Sequence, residues 1–240
     1  MMATFTSFNT RLPDPNWGVN DAGDAHATNF TEGPGFATVK FTSNQQTSFS
    51  RTNSGRVTTR AIAGQYFTMN ITYNPMTRAQ FEPVYNFLME KRGRLKPFFV
   101  VLPQYKDPQT ATNGTISVQG TITSGDSNFL IDNMNNVSGG LKPGDMFNFT
   151  DSTNSNHKKA YQIVRVASHT DRLASDSALN TSDERRLYVV PPVQKDVADN
   201  STIDYGSPMF RVVQNKDVQE YSLGTNNLYT FSLSLEEAQA

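Results

Sequence analysis

Tyr66-Phe67-Thr68-Met69-Asn70-Ile71-Thr72-Tyr73 is the stretch whose reading decides the fold. Phe67, Met69, Ile71 and Tyr73 fall on one face of an extended chain, and Thr68, Asn70 and Thr72 on the other. Side chains alternate along a strand, so the pattern predicts a strand buried on one face and wet on the other. Asn74-Pro75 ends it. A helix follows. Thr77 suits its N-cap, Gln80 completes a capping box, and Met76 and Phe81 are spaced as a hydrophobic staple. Phe81, Val84, Tyr85 and Leu88 form an apolar stripe at helical spacing. Pro83 lies past the first turn, so either the helix kinks there or its main part begins there. Lys91 and Arg92 suit the last turn and Gly93 the C-cap. Lys91, Arg92, Arg94 and Lys96 then read as cations facing water. The run Phe98-Phe99-Val100-Val101-Leu102, closed by Pro103, predicts a strand covered on both faces.

Outward from this block, residues 1–35 are rich in Gly, Asn, Asp and Pro and hold the single tryptophan, Trp17. They read either as a floppy terminus or as an arm that orders against a neighbour. Ala37, Val39 and Phe41 alternate with polar residues, and 55–62 offers another strand with Arg56, Thr58 and Arg60 on one side. Beyond Gln104 the texture changes to short strand candidates with frequent breaks: 115–122, 128–131, 146–149, 160–166 and 186–190. Leu141-Lys142-Pro143-Gly144-Asp145 reads as a tight turn and 170–183 as a long polar loop. Near the end, Tyr229, Phe231, Leu233 and Leu235 alternate with Thr230, Ser232 and Ser234, repeating the pattern of 66–73. Such a strand needs a sheet to cover its apolar face. The expectation is that it returns to the first domain, so that 1–107 and 205–240 form one domain and 108–204 an inserted β-barrel or sandwich.

Composition narrows the function classes. With 240 residues and no cysteine, disulfides and thiolate metal sites are excluded, and stability must come from a packed core. Only 18% of residues are charged and the net charge is −1, which speaks against a dedicated nucleic-acid binder. Met1 to Thr10 lack a basic region followed by an apolar run, and no segment reaches the roughly 20 apolar residues that a membrane helix needs. The expected place of synthesis is a cytoplasm.

Chemistry is sparse. His26, His157 and His169 show no metal-pair spacing, and Asp21, Asp24 and His26 could gather around a cation but read more simply as solvated polar residues. Glu82, Glu90, Glu236 and Glu237 lie in or beside regular elements, with nothing pairing them across a cleft. Tyr105, Tyr161, Tyr188 and Tyr205 could mark a sugar-binding face, or be core residues and cross-strand pairs. No catalytic, cofactor-binding or metal-binding residue is assigned, and no cofactor is expected.

The block 66–103 resembles the distal-tail and minor-tail proteins of tailed bacteriophages. The residues carrying this are the strand Tyr66–Tyr73, Pro75-Met76-Thr77-Arg78-Ala79-Gln80-Phe81, Tyr85-Asn86-Phe87-Leu88, Arg92-Gly93-Arg94 and Phe98 to Pro103. Ser54-Gly55-Arg56 supplies the glycine-marked lead-in. The likeness implies a mainly β fold: a tail-tube-like β-sandwich with one flanking α-helix, here with a small β-barrel or sandwich inserted. Family members with an extra barrel of the oligonucleotide/oligosaccharide-binding type would accommodate that insertion. The likeness also implies a non-enzymatic virion protein of the tail, assembled in the bacterial host cytoplasm. Its partners would be copies of itself in a ring, commonly hexameric, with tail-tube and baseplate or tip proteins beyond. DNA would only pass through the channel, and no membrane is involved. A carbohydrate-binding module with an aromatic platform in 108–204, and a polysaccharide-degrading enzyme, are the competing readings.

Overall fold

The computed structural model describes residues 11–15, 18–19, 25–26, 33–62, 64–151, 153–155, 157–168, 170 and 182–238. In chain order the elements begin with β1 (Gly18–Val19), β2 (Ala25–His26), β3 (Phe36–Asn44), β4 (Thr47–Arg51), β5 (Val57–Ala61), β6 (Tyr66–Tyr73), α1 (Arg78–Lys91) and β7 (Phe98–Val101). There follow β8 (Ile116–Gln119), β9 (Asn128–Asp132), β10 (Met146–Thr150), β11 (Ala160–Ser168), β12 (Arg185–Val190) and β13 (Thr202–Asp204). The last are β14 (Met209–Gln214), β15 (Tyr221–Leu223) and β16 (Tyr229–Glu237). Two compact units result. One runs to Val100 and resumes at Arg211–Ala238; the other spans Val101–Phe210.

The first unit is built on a sheet of order β3-β6-β16-β14-β7, with β15 also paired to β16. Ile71 faces Leu233 and Met69 faces Leu235 across the antiparallel β6–β16 ladder. Directly opposed residues share a face, so the two alternating patterns add into one apolar surface. Phe67, Met69, Ile71, Leu233 and Leu235 are all buried on it. Helix α1 covers this surface with Phe81, Val84, Phe87 and Leu88, and Gln214 donates from Nε2 to the Leu88 carbonyl at 2.9 Å. The Thr77 N–H donates to Gln80 Oε1 at 3.2 Å, half of the capping box. The helix runs unbroken through Pro83, which supplies no N–H to the Ala79 carbonyl. It ends with Arg92 and Gly93 both left-handed, at φ 53° and 64°.

One sequence expectation fails here. Lys91 does not face water with its basic neighbours: it is 1% exposed. It lies one turn after Phe87, on the buried stripe, and its ammonium sits 4.5 Å above the Phe87 ring. Burial pulls this lysine below its usual range; nearby Glu90 opposes the shift and Lys96 adds to it. Arg92, Arg94 and Lys96 are exposed. Of residues 1–35, the short segment 11–15 is held against the unit. The Leu12 N–H donates to the Phe99 carbonyl at 2.8 Å, and Arg11 grips Asp14 at 2.6 Å. Gly33 leaves no space there for a side chain, because a Cβ would stand 2.7 Å from the Asp14 carbonyl oxygen. Trp17 lies outside the described residues.

The second unit is a closed barrel of order β10-β11-β12-β9-β8-β13. Every neighbouring pair is antiparallel. With β13 beside β10, the path β13-β10-β11-β12 is a Greek key. This decides between barrel and sandwich. It also departs from the five-stranded oligonucleotide/oligosaccharide-binding barrel by a sixth strand that closes the ring. Phe129, Phe147, Phe149 and Tyr161 fill the interior with Ile131, Ile163 and Leu187. The turn at 141–145 is tied by Asp145: its carboxylate accepts the Lys142 N–H at 2.7 Å and the Gln109 N–H at 2.9 Å. Most of the expected polar loop at 170–183 lies outside the described residues.

The alternation on β16 gives a direct test. Leu233→Ala should cost about 2–5 kcal/mol in urea unfolding. Ser232→Ala, at the exposed neighbouring position, should change stability by less than about 0.5 kcal/mol.

Candidate assembly surface

Among the described residues, strands β4 and β5 pair only with each other, with Arg51 opposite Val57 and Phe49 opposite Thr59. All ten of their residues are exposed. The tip is closed by Gly55, at φ 81°, and by the Gly55 N–H donating to the Thr52 carbonyl. Opposed residues share a face, so Thr47, Phe49, Arg51, Val57, Thr59 and Ala61 form one side. Ser48, Ser50, Thr58 and Arg60 form the other. The hairpin is therefore amphipathic, yet Phe49 is 62% exposed and Val57 44% exposed. From 45 to 64 the chain carries Arg51, Arg56 and Arg60 and no acid. A lone two-stranded hairpin is marginal in water, so its shape and apolar side point to a partner.

A second exposed apolar feature lies on β15. Tyr229 of β16 exchanges both backbone hydrogen bonds with Met76 on one edge, and β15 occupies the other edge, with Leu223 opposite Tyr229. The outer edge of β15 has no described strand beside it. Tyr221 is 49% exposed, Leu223 53% and Val218 67%. The Tyr221 ring is backed by Phe81 at 4.9 Å and Tyr85 at 5.3 Å. Phe81 in turn stacks on Tyr229 at 4.6 Å. Tyr221 is thus a supported, half-exposed aromatic, with Glu220 exposed beside it.

Across β3, β6 and β16 the solvent face of the same sheet is polar. Thr38, Lys40 and Thr42 oppose Thr72, Asn70 and Thr68, and Asn70 and Thr72 in turn oppose Ser234 and Ser232. A groove of about 440 Å³ opens over it, bounded by Asn70, Thr72, Ser232, Ser234 and the segment 216–220.

Residues 24–105 match a family model described as the distal tail protein pb9, A domain, N-terminal. This stretch is similar to the phage distal-tail family. No curated protein matches the chain in sequence. The match spans β2 to β7 and takes in both the hairpin and the helix.

The other candidates from the sequence fall at scattered places among the described residues or lie outside them. Among the described residues no group of three or more His, Cys, Asp or Glu could hold a metal ion. Asp21, Asp24 and His169 lie outside the described residues, as does the side chain of His26. Glu82 pairs with Arg78 at 2.6 Å on the helix surface, and buried Glu237 accepts the Phe67 N–H at 3.1 Å. The four tyrosines form no platform. Tyr161 is in the barrel core. Tyr105 is half-buried against Phe210 at 6.2 Å, and Tyr188 lies under the Arg165 guanidinium at 4.8 Å. Tyr205 donates to the Gly114 carbonyl at 2.6 Å. The exposed apolar features on the first unit were missed: Phe49 and Tyr221 stand in short, polar segments without a readable period.

Buried His157 meets the Tyr161 hydroxyl at 2.6 Å. That oxygen also accepts the Gln194 N–H at 3.0 Å. Burial lowers the His157 pKa to about 4; Lys195 adds to the shift, and Asp151 opposes it. Between about 6.5 and about 4 the unfolded chain binds the extra proton and the fold does not. Stability should therefore fall as pH falls through that window and level off below it. The drop should be on the order of 3 kcal/mol. His157→Gln should flatten that part of the curve, as read by urea unfolding at successive pH values.

Proposed function

We propose that this chain forms a homo-oligomeric ring, hexameric, around the DNA channel at the distal end of a phage tail, joining the tube to a baseplate or tip. The distal-tail match over residues 24–105 carries this reading. The sheet supports it: among the described strands, β3 and β15 have no neighbour on their outer sides, and open edges are where strands of another chain add. The polar face of Thr, Ser and Asn side chains suits a channel lining. With a net charge of −1 on the chain, such a surface would let DNA slide past without accumulating on it. In this reading 1–107 and 205–240 are the ring-forming part, and 108–204 is an inserted barrel with a separate task. The chain assembles in the bacterial host cytoplasm and resides in the virion. It assigns no catalytic residue, cofactor or metal.

Negative-stain electron microscopy of the purified full chain should show rings with a central hole, and light scattering a mass six times that of the 26.7 kDa chain. A chain that stays monomeric at tens of micromolar and is missing from the virion by mass spectrometry would overturn the reading.

A further inference from the structure

We propose that residues 11–15 act as an edge clip: they occupy the outer side of β7 and tie it to the start of β3, so that no strand of another chain adds there. This goes beyond the ring reading and does not depend on it, because a closed margin limits association whatever form an assembly takes.

The need for a clip follows from the sheet order. The path β3-β6-β16-β14-β7 ends on β7. The outer side of an end strand is a row of backbone donors and acceptors open to pairing. Strand β7 consists of Phe98, Phe99, Val100 and Val101, with no charge or proline of its own to discourage a partner.

The segment 11–15 runs from this edge to the far side of the sheet. Arg11 bridges Phe99 in parallel, and the Leu12 N–H donates to the Phe99 carbonyl at 2.8 Å. An outward acceptor of β7 is therefore taken. Asp14 then lies against Gly33, where a Cβ would stand 2.7 Å from the Asp14 carbonyl oxygen. Pro15 Cγ comes to 3.8 Å from the Cβ position at Gly35, one residue before β3 begins at Phe36. Phe36 pairs with Tyr73. Burial, and then the nearby Asp14 carboxylate, push the Tyr73 hydroxyl above its usual range. Five residues thus connect one end strand of the sheet to the beginning of the other.

The composition of the segment suits this task. Leu12, Pro13 and Asp14 are buried in succession. The Arg11 Nε and Nη2 both donate to Asp14 Oδ2, at 3.0 and 2.6 Å, which holds the two ends in one shape. A residue before proline favours extended backbone, and successive N–H groups of an extended chain point to opposite sides. With the Leu12 N–H turned to β7, the next would point away, and Pro13 has none to offer. The clip closes an edge without presenting a new donor at that point.

The test uses the full chain. Leu12→Asp puts a charge where the clip is buried, and Gly33→Val puts a side chain where the Asp14 backbone stands; neither alters a strand of the sheet. In both variants hydrogen exchange should lose protection at position 12, while α1 and the β6–β16 ladder keep theirs. Sedimentation should then show a weight-average mass that climbs with concentration without a plateau, where the unsubstituted chain reaches one. The N–H and C=O of a strand residue share a side, so adding Phe99→Pro removes a donor from the opened edge and should restore the plateau. A released clip with unchanged association would overturn the proposal, as would polymers that persist with Phe99→Pro. Protection lost throughout the first unit in both variants would overturn it too, making the segment part of the core. So would protection kept at position 12 in both, since Leu12 and Gly33 would then not seat it.

Discussion

The ladder between β6 and β16 is the constraint on which the first unit depends. It joins residues 68–72 to 232–236, so two strands more than 150 positions apart in sequence make a single apolar face. Neither strand could bury its aromatic and aliphatic side alone, and α1 would have nothing to cover. The register is fixed by that face: a slip of one residue would turn Ile71 and Leu233 outward and Asn70 and Ser232 inward. Closing so long a loop is entropically tolerable because the cost grows only with the logarithm of its length, and here the loop folds as a barrel of its own.

That architecture separates two tasks. The inward face is occupied by packing, so whatever the unit does for assembly must use its margins, its polar face and its projections. The hairpin and the β15 ledge differ from the rest of the surface in this respect. Elsewhere exposed large apolar residues stand singly, as Val164 does on β11, and single exposed apolar residues are ordinary. At the hairpin and the ledge they occur together beside unpaired backbone or on an unsupported strand pair, where solvent is a poor final partner.

Buried polar groups show how the units hold their shape. Gln214 reaches the last turn of α1, and Asn148 in the barrel donates to the Lys159 carbonyl at 3.0 Å. His157 is held neutral by burial next to Tyr161. Gln214 and Asn148 make these hydrogen bonds in one geometry, which favours a single packing over its near alternatives. None lies in an open cleft with a second titratable partner, the arrangement acid–base chemistry needs.

The sequence by itself determined the strands with clean period two, the helix start and the apolar run at 98–102, because local alternation, capping residues and prolines act within a few positions. It also carried the distal-tail likeness, since the helix entry and flanking strands lie in one continuous block. Only the tertiary structure decided the rest. Strand β14 was not legible because Met209 and Val213 on its wetter side blur the alternation of Phe210, Val212 and buried Gln214. Lys91 read as a solvent cation because charge outweighed helical position, and only the packing of α1 shows that it shares the stripe of Phe87. The barrel's closure depended on which distant strands meet, a choice no local pattern encodes. The hairpin and ledge emerged last for the same reason: an exposed Phe49 or Tyr221 acquires meaning only when the fold shows what is missing beside it.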